Sequence, residues 1–214
     1  STAAAQHGRS SFVFFLNATG PGTVPTNVAA VPVNPGTGGV VFATSIPGTT
    51  PFRVSPGIDS ANDACAAFPA GTFSGAIALV RRGTCSFAIK VNNAAAAGAV
   101  AVVIANNTSG GIIPSVPGTT IPAFGATQSD GDNLRNWGQA SPSTATAGIP
   151  FPATVTANTP DQLASFSSRG PAGTFELLKP DFTAPGVAIL AAVAGATLTG
   201  FENDVALYDG TSMA

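Results

Sequence analysis

The C-terminal peptide Gly210-Thr211-Ser212-Met213-Ala214 sets one serine hydroxyl among small residues. Such a hydroxyl becomes a nucleophile toward a carbonyl carbon only when a base takes its proton and a carboxylate orients that base. Small neighbours such as Gly210 leave room for the close approach that the attack needs. His7 is the only histidine, so it is the one imidazole that could serve. No Asp or Glu precedes it, the first being Asp59, and His7-Gly8-Arg9 reads as an exposed loop. Cys65 and Cys85 are the only cysteines. Two separate buried thiols would fit, but the pair flanks one Gly-rich strand region, and a disulfide in an oxidising compartment is the preferred reading. Closing that loop would stabilise the fold by about 3 kcal/mol in the chain-entropy account. Two cysteines and one histidine do not fill a structural zinc site without distant carboxylates. Asn17 and the pair Asn106-Asn107 fit the N-x-S/T glycosylation pattern.

Composition narrows the classes. Of 214 residues, 44% are apolar and only 8% charged, a charged share about a third of the usual one. That hydrophobicity excludes a disordered tail. The net charge of −2, with 8 basic residues, offers no nucleic-acid-binding patch. The longest apolar stretch, Ala94 to Ala105, is about half of what a bilayer span requires. Ser1–Arg9 lacks the apolar stretch of a signal peptide, so the chain reads as an interior segment of a longer, processed protein. The 25 glycines and 18 prolines favour short strands and turns over long helices.

The elements that would position these groups follow from patterning. Phe12–Leu16 is a strand candidate, as are Val28–Val33, Gly39–Ala43 and Gly75–Val80. A helix is expected from Ser86 to Gly98, capped by Ser86, burying Phe87, Val91, Ala94 and Ala95, and ended by Gly98. On it Lys90 either reaches a loop carbonyl or lies on a solvated face. Ala99–Ala105 is apolar throughout, which suits a central strand buried on both faces. Strand, helix and strand together make a βαβ-like unit. Ile121–Ala126 reads as a strand. Ser129 with Asp132 starts a short helix that carries Leu134 and Trp137 and stops at Gly138. Ala153–Ala157 closes the region, and a boundary falls near Asn158-Thr159-Pro160.

Between Cys65 and Asn136 the order of features resembles the protease-associated (PA) domain family. The resemblance rests on Cys65, the strand Gly75–Val80, Arg82-Gly83-Thr84-Cys85-Ser86-Phe87, Lys90, Asn93, Ala97-Gly98-Ala99, Asn106-Asn107, Ile121-Pro122 and Ser129-Asp130-Gly131. It implies a β-rich α+β fold, a sandwich or open barrel flanked by short helices, that acts as a binding or lid module without chemistry of its own. Downstream, three peptides are similar to signatures of subtilisin-like serine proteases (subtilases): Phe166–Pro171, Lys179–Gly186 and Gly210–Ala214.

The second resemblance implies Ser212 as nucleophile, and its backbone amide as an oxyanion donor if it begins a helix. It places the triad acid, the base and the oxyanion asparagine outside this chain. The context of His7 does not match the family's His-Gly-Thr-His. Asp181 corresponds to a structural loop carboxylate, and Arg169 to a loop-bracing residue. The implied organisation is 1–10 as the end of a preceding catalytic-domain segment, 11–158 as the PA insert and 159–214 as a catalytic-domain piece cut after the nucleophile motif. The parent would be a secreted endopeptidase acting on peptide or protein substrates, with no cofactor in this segment and calcium in the parent. The insert would gate the cleft or mediate self-association. The rival reading is a stand-alone peptide-binding PA module. The apolar strand Val187–Val193 would belong to a parallel sheet whose other strands lie elsewhere, leaving it to pack on the insert, pair with another copy or stay poorly ordered.

Overall fold

A computed structural model describes residues 2–5, 10–157, 159–160, 162–164, 166–167, 180–187, 189–192, 205–212 and 214. In chain order the elements are β1 (Thr2–Ala5), β2 (Ser10–Gly20), the one-turn α1 (Thr26–Ala29), β3 (Val31–Pro35), β4 (Ile46–Val54), β5 (Ile77–Arg81), α2 (Phe87–Ala96) and β6 (Ala101–Ala105). Then come β7 (Ala123–Ala126), α3 (Gln128–Ala140), β8 (Thr146–Ile149), β9 (Thr154–Ala157), β10 (Phe182–Pro185), β11 (Ile189–Ala192) and β12 (Val205–Tyr208). Two compact units result, one of Val13–Thr154 and one of Ser1–Phe12 with Val155–Ala214.

The first unit is built on seven strands in the order β3-β7-β6-β5-β4-β8-β2. β2 turns from β8, paired at Asn17 and Ala18, to β3, paired at Phe14–Leu16. That second pairing closes the sheet into a barrel, where a sandwich or open barrel was expected. β4, β5, β6 and β7 run parallel, and α2 makes the crossover from β5 to β6.

The continuous apolar runs of these strands follow from two-sided burial. Ile77, Leu79, Ala101, Val103 and Ala105 point into the barrel core with Phe52 and Phe124. The alternate residues Ala78, Val80, Val102 and Ile104 pack under Val91, Ala94 and Ala97 of α2. All five residues of β6 are buried, as its composition predicts. α3 sets Leu134 and Trp137 in the barrel core, with the Trp137 ring centroid 5.2 Å from that of Phe52.

Several expectations are corrected. Val28 is not in a strand: Pro25 precedes a single helical turn that buries Val28, and β3 starts only at Val31. Gly39–Ala43 is irregular, and Phe42 from this loop packs edge-on against Phe14, Phe124 and Phe151. α3 is capped by Thr127, whose hydroxyl accepts from Asp130 N, rather than by Ser129. Gly138 does not end α3, which continues to Ala140. A Cβ at Gly138 would stand 2.6 Å from Val54 Cγ2, so this glycine lets the helix press onto β4. β4 and β8 were not anticipated.

In the second unit β1 pairs in parallel with β10, and β11 pairs antiparallel with β12. The strand expected over Val187–Val193 is seen as Ile189–Ala192, covered along one edge by its own chain and antiparallel where a parallel neighbour was expected. Among the described residues no helix is long and apolar enough to cross a membrane.

Candidate functional site

In the second unit two of the three motif peptides bind the short strand β1, and the third binds the second. From the first, the Ser167 hydroxyl accepts the Ala4 amide at 3.0 Å, and just before that peptide Ala164 N donates to Ala4 O at 2.9 Å. From the second, Gly186 N donates to Ala5 O at 3.0 Å. From the third, Gly210 N donates to Gly186 O at 2.9 Å. A Cβ on Gly186 would lie 2.6 Å from Gly210 O and 2.7 Å from Ala4 Cβ, so only glycine permits this stacking. Ser212 follows in the turn after β12, exposed to solvent.

Asp181 is exposed at the start of β10. His7 and Arg169 lie outside the described residues, as do Ser168 and Met213. Among the described residues no group of three His, Cys, Asp or Glu side chains could hold a metal ion.

The barrel carries a different kind of centre, a polar knot under α2. Ser86 caps the helix through Ile89 N. One turn on, Lys90 is 0% exposed, and its ammonium donates to Asp63 O and to Cys65 Sγ at 3.7 Å. Lys90 therefore reaches a loop carbonyl, the first of the two readings open to it. Asn93 Nδ2 donates to Ala64 O at 2.9 Å. The buried Asp63 carboxylate accepts from Ser55 Oγ and, at 2.7 Å, from Arg81 N. Burial pushes the Lys90 ammonium down from its ordinary 10.5, against an upward pull from the Asp63 charge. The disulfide Cys65–Cys85 locks the same loop to the start of α2. Arg135 adds an ion pair to Asp59 at 2.8 Å.

Gly83, one of the residues that carry the PA resemblance, is fixed by its surroundings. A Cβ there would stand 1.9 Å from Ala61 O, so it is contact with the loop that excludes a side chain. Asp63 and Ser55 were not singled out in the sequence, and Asp59 only as the first carboxylate; the partners that fix Asp63 and Asp59, Arg81 N and the Arg135 side chain, are distant in the chain. Asn106 is buried, accepting from Arg82 Nη1 at 3.1 Å and donating to Gly110 O at 3.0 Å, so it serves the fold and is closed to glycosylation.

Beside the knot an open groove of about 360 Å³ is lined by Arg82, Gly83, Cys85, Ser86, Phe87 and Ala88 with Ser115 and Pro117 opposite. Its lining includes the first residues of α2 and one cysteine of the disulfide.

Residues 37–134 match the family described as PA domain. This chain contains a PA domain. Its relatives are proteases. The chain is 37% identical over 140 residues, 65% of its length, to the Minor extracellular protease Vpr of Bacillus subtilis, and 38% identical over 126 residues, 55% of its length, to Subtilisin-like protease SBT1.6 of Arabidopsis thaliana. The match covers 16% of either protein, so the chain spans a small part of those relatives. Among solved structures, an aminopeptidase from Aneurinibacillus sp. strain AM-1 is similar at a TM-score of 0.46 with 27% identity, over 69% of this chain and 35% of that one.

Proposed function

We propose that this chain is a segment of a secreted subtilisin-like serine endopeptidase in which the PA barrel is an accessory module set into the catalytic domain. Ser212 is the nucleophile of the whole protein; its base and its orienting carboxylate come from outside residues 1–214, as does the oxyanion asparagine. The observation that carries the reading is the linkage of the three peptides to β1: Ser167 binds Ala4, Gly186 binds Ala5, and Gly210 joins them through Gly186, across the barrel's span of sequence. That is the arrangement expected when one domain interrupts another, with 1–10 and 159–214 flanking the insert. Similarity to an extracellular protease and the Cys65–Cys85 disulfide support the secreted location.

In the reaction the Ser212 hydroxyl attacks the scissile carbonyl as the base takes its proton. The resulting acyl-enzyme is then released by water. The PA barrel extends or gates the substrate path through the groove beside α2. The test is Ser212→Ala in the full-length protein, which should lower kcat on a peptide substrate on the order of 10⁶-fold and abolish labelling by a serine-directed fluorophosphonate. Retained activity or retained labelling would remove the serine-protease reading.

A further inference from the structure

The two sulfurs of the disulfide have different surroundings. Cys85 is among the residues that line the open groove, with Ser86, Phe87 and Pro117. Cys65 does not line that groove. Its sulfur faces the buried Lys90 ammonium at 3.7 Å and the Thr84 hydroxyl at 3.6 Å. In thiol–disulfide exchange the outcome depends on which sulfur is accessible and on which thiolate leaves more easily. A cation or hydroxyl donor beside a sulfur stabilises the thiolate that forms there. Both cysteines are half-buried, so exposure alone does not choose between them; the groove beside Cys85 and the cation beside Cys65 together favour attack at Cys85 and departure of Cys65.

We propose that Cys85 is a modification site for a low-molecular-weight thiol, reached through the groove, with Cys65 as the leaving sulfur received by Lys90. The external thiolate forms a bond to Cys85 Sγ. The Cys65–Cys85 bond breaks, and its electron pair departs on Cys65 Sγ as a thiolate. The product is a mixed disulfide at Cys85, and no other oxidant or reductant is consumed. Attack by Cys65 on the adduct restores the original bond and expels the small thiol.

The loop does not depend on the disulfide alone. Lys90 to Asp63 O, Asn93 to Ala64 O, and Asp63 to Ser55 and Arg81 N all survive the exchange. The fold therefore holds while the groove gains a bulky polar group between Arg82 and Phe87, and the change is reversible.

The experiment exposes the intact chain to limiting glutathione, quenches it by alkylation, and maps adduct and alkyl group by peptide mass spectrometry. The same treatment in denaturant removes both the groove and the Lys90 contact. In the native chain the adduct should sit on Cys85 over Cys65 by about fivefold or more, with alkylated Cys65 as its counterpart. In the denatured chain the ratio should approach one. An even native ratio, a preference for Cys65, or no native adduct under conditions where the denatured chain reacts would each overturn the proposal. Lys90→Gln should slow native exchange and reduce the Cys85 preference. Because that variant disturbs a buried contact, the mapping on the unaltered chain decides the matter.

Discussion

Strand β6 of the barrel, Ala-Val-Val-Ile-Ala, and strand β11 of the second unit, Ile-Leu-Ala-Ala, have nearly the same composition. Their situations differ. β6 lies between β5 and β7 and is buried at every residue. β11 pairs among the described residues with β12 alone. β10, likewise a member of a two-stranded ladder, leaves Phe182 60% exposed. Short apolar composition specifies a strand; the number of neighbours supplied by the rest of the chain decides whether that strand becomes core. Two-stranded ladders are marginal by themselves.

The comparison breaks most directly at equivalent aromatic residues. Phe52→Ala removes a fully buried ring that touches Trp137 and should cost about 4 kcal/mol of barrel stability. Phe182→Ala, on the exposed strand, should change it by less than about 0.5 kcal/mol. Urea unfolding followed by the fluorescence of Trp137, the single tryptophan, reads both. Similar losses in the two variants would mean that the units share one core.

A middle-sized effect tests the polar knot. Lys90→Met keeps most of the side-chain volume but strips Asp63 O of its donor, at a cost of about 2 kcal/mol at neutral pH. The same variant has a pH signature. The folded-state affinity of Lys90 for its proton is lowered by burial. Between the folded value and the unfolded value of 10.5 the unfolded chain binds more protons, so the native protein gains stability as pH rises through that window. Lys90→Met should lose this rise. Parallel stability curves for the two proteins up to pH about 10.5 would show that the amine keeps its ordinary affinity when folded.

The smallest effect is at a helix cap. Thr127→Ala should lower barrel stability by about 1 kcal/mol, since Asp130 N loses its acceptor. Ser129→Ala should leave it nearly unchanged if Thr127 alone begins α3. A larger loss at Ser129 would restore the cap expected from its spacing to Asp132.

The parts of the barrel that were legible in the sequence are those in which local chemistry and tertiary packing agree. α2 has its Ser86 cap, its apolar face and Gly98 at φ +96, all of them local signals. β6 has an apolar run that only a two-sided neighbour set explains. β4 was hidden because Gly48 and Pro51 read as turn residues, yet its pairing to β5 on one side and β8 on the other overrides them. The backbone contact that hides β8 is of the same kind: a Cβ at Gly148 would stand 2.6 Å from Ile46 O, so a residue type that weakens a strand is required by the neighbour it touches. At the candidate site the motif peptides were readable, but their linkage through β1 and Gly186 was not. Thr2–Ala5 carries no distinguishing side chain and contributes only amides and carbonyls.

The pairing of β2 with both β8 and β3 has a consequence for how such a module travels between genes. Joining β2 to both neighbours pairs the two ends of the seven-strand sheet, and β9 adds an eighth strand beside β2. A host that accepts the ring therefore has only that one added strand and the two connecting passages to accommodate.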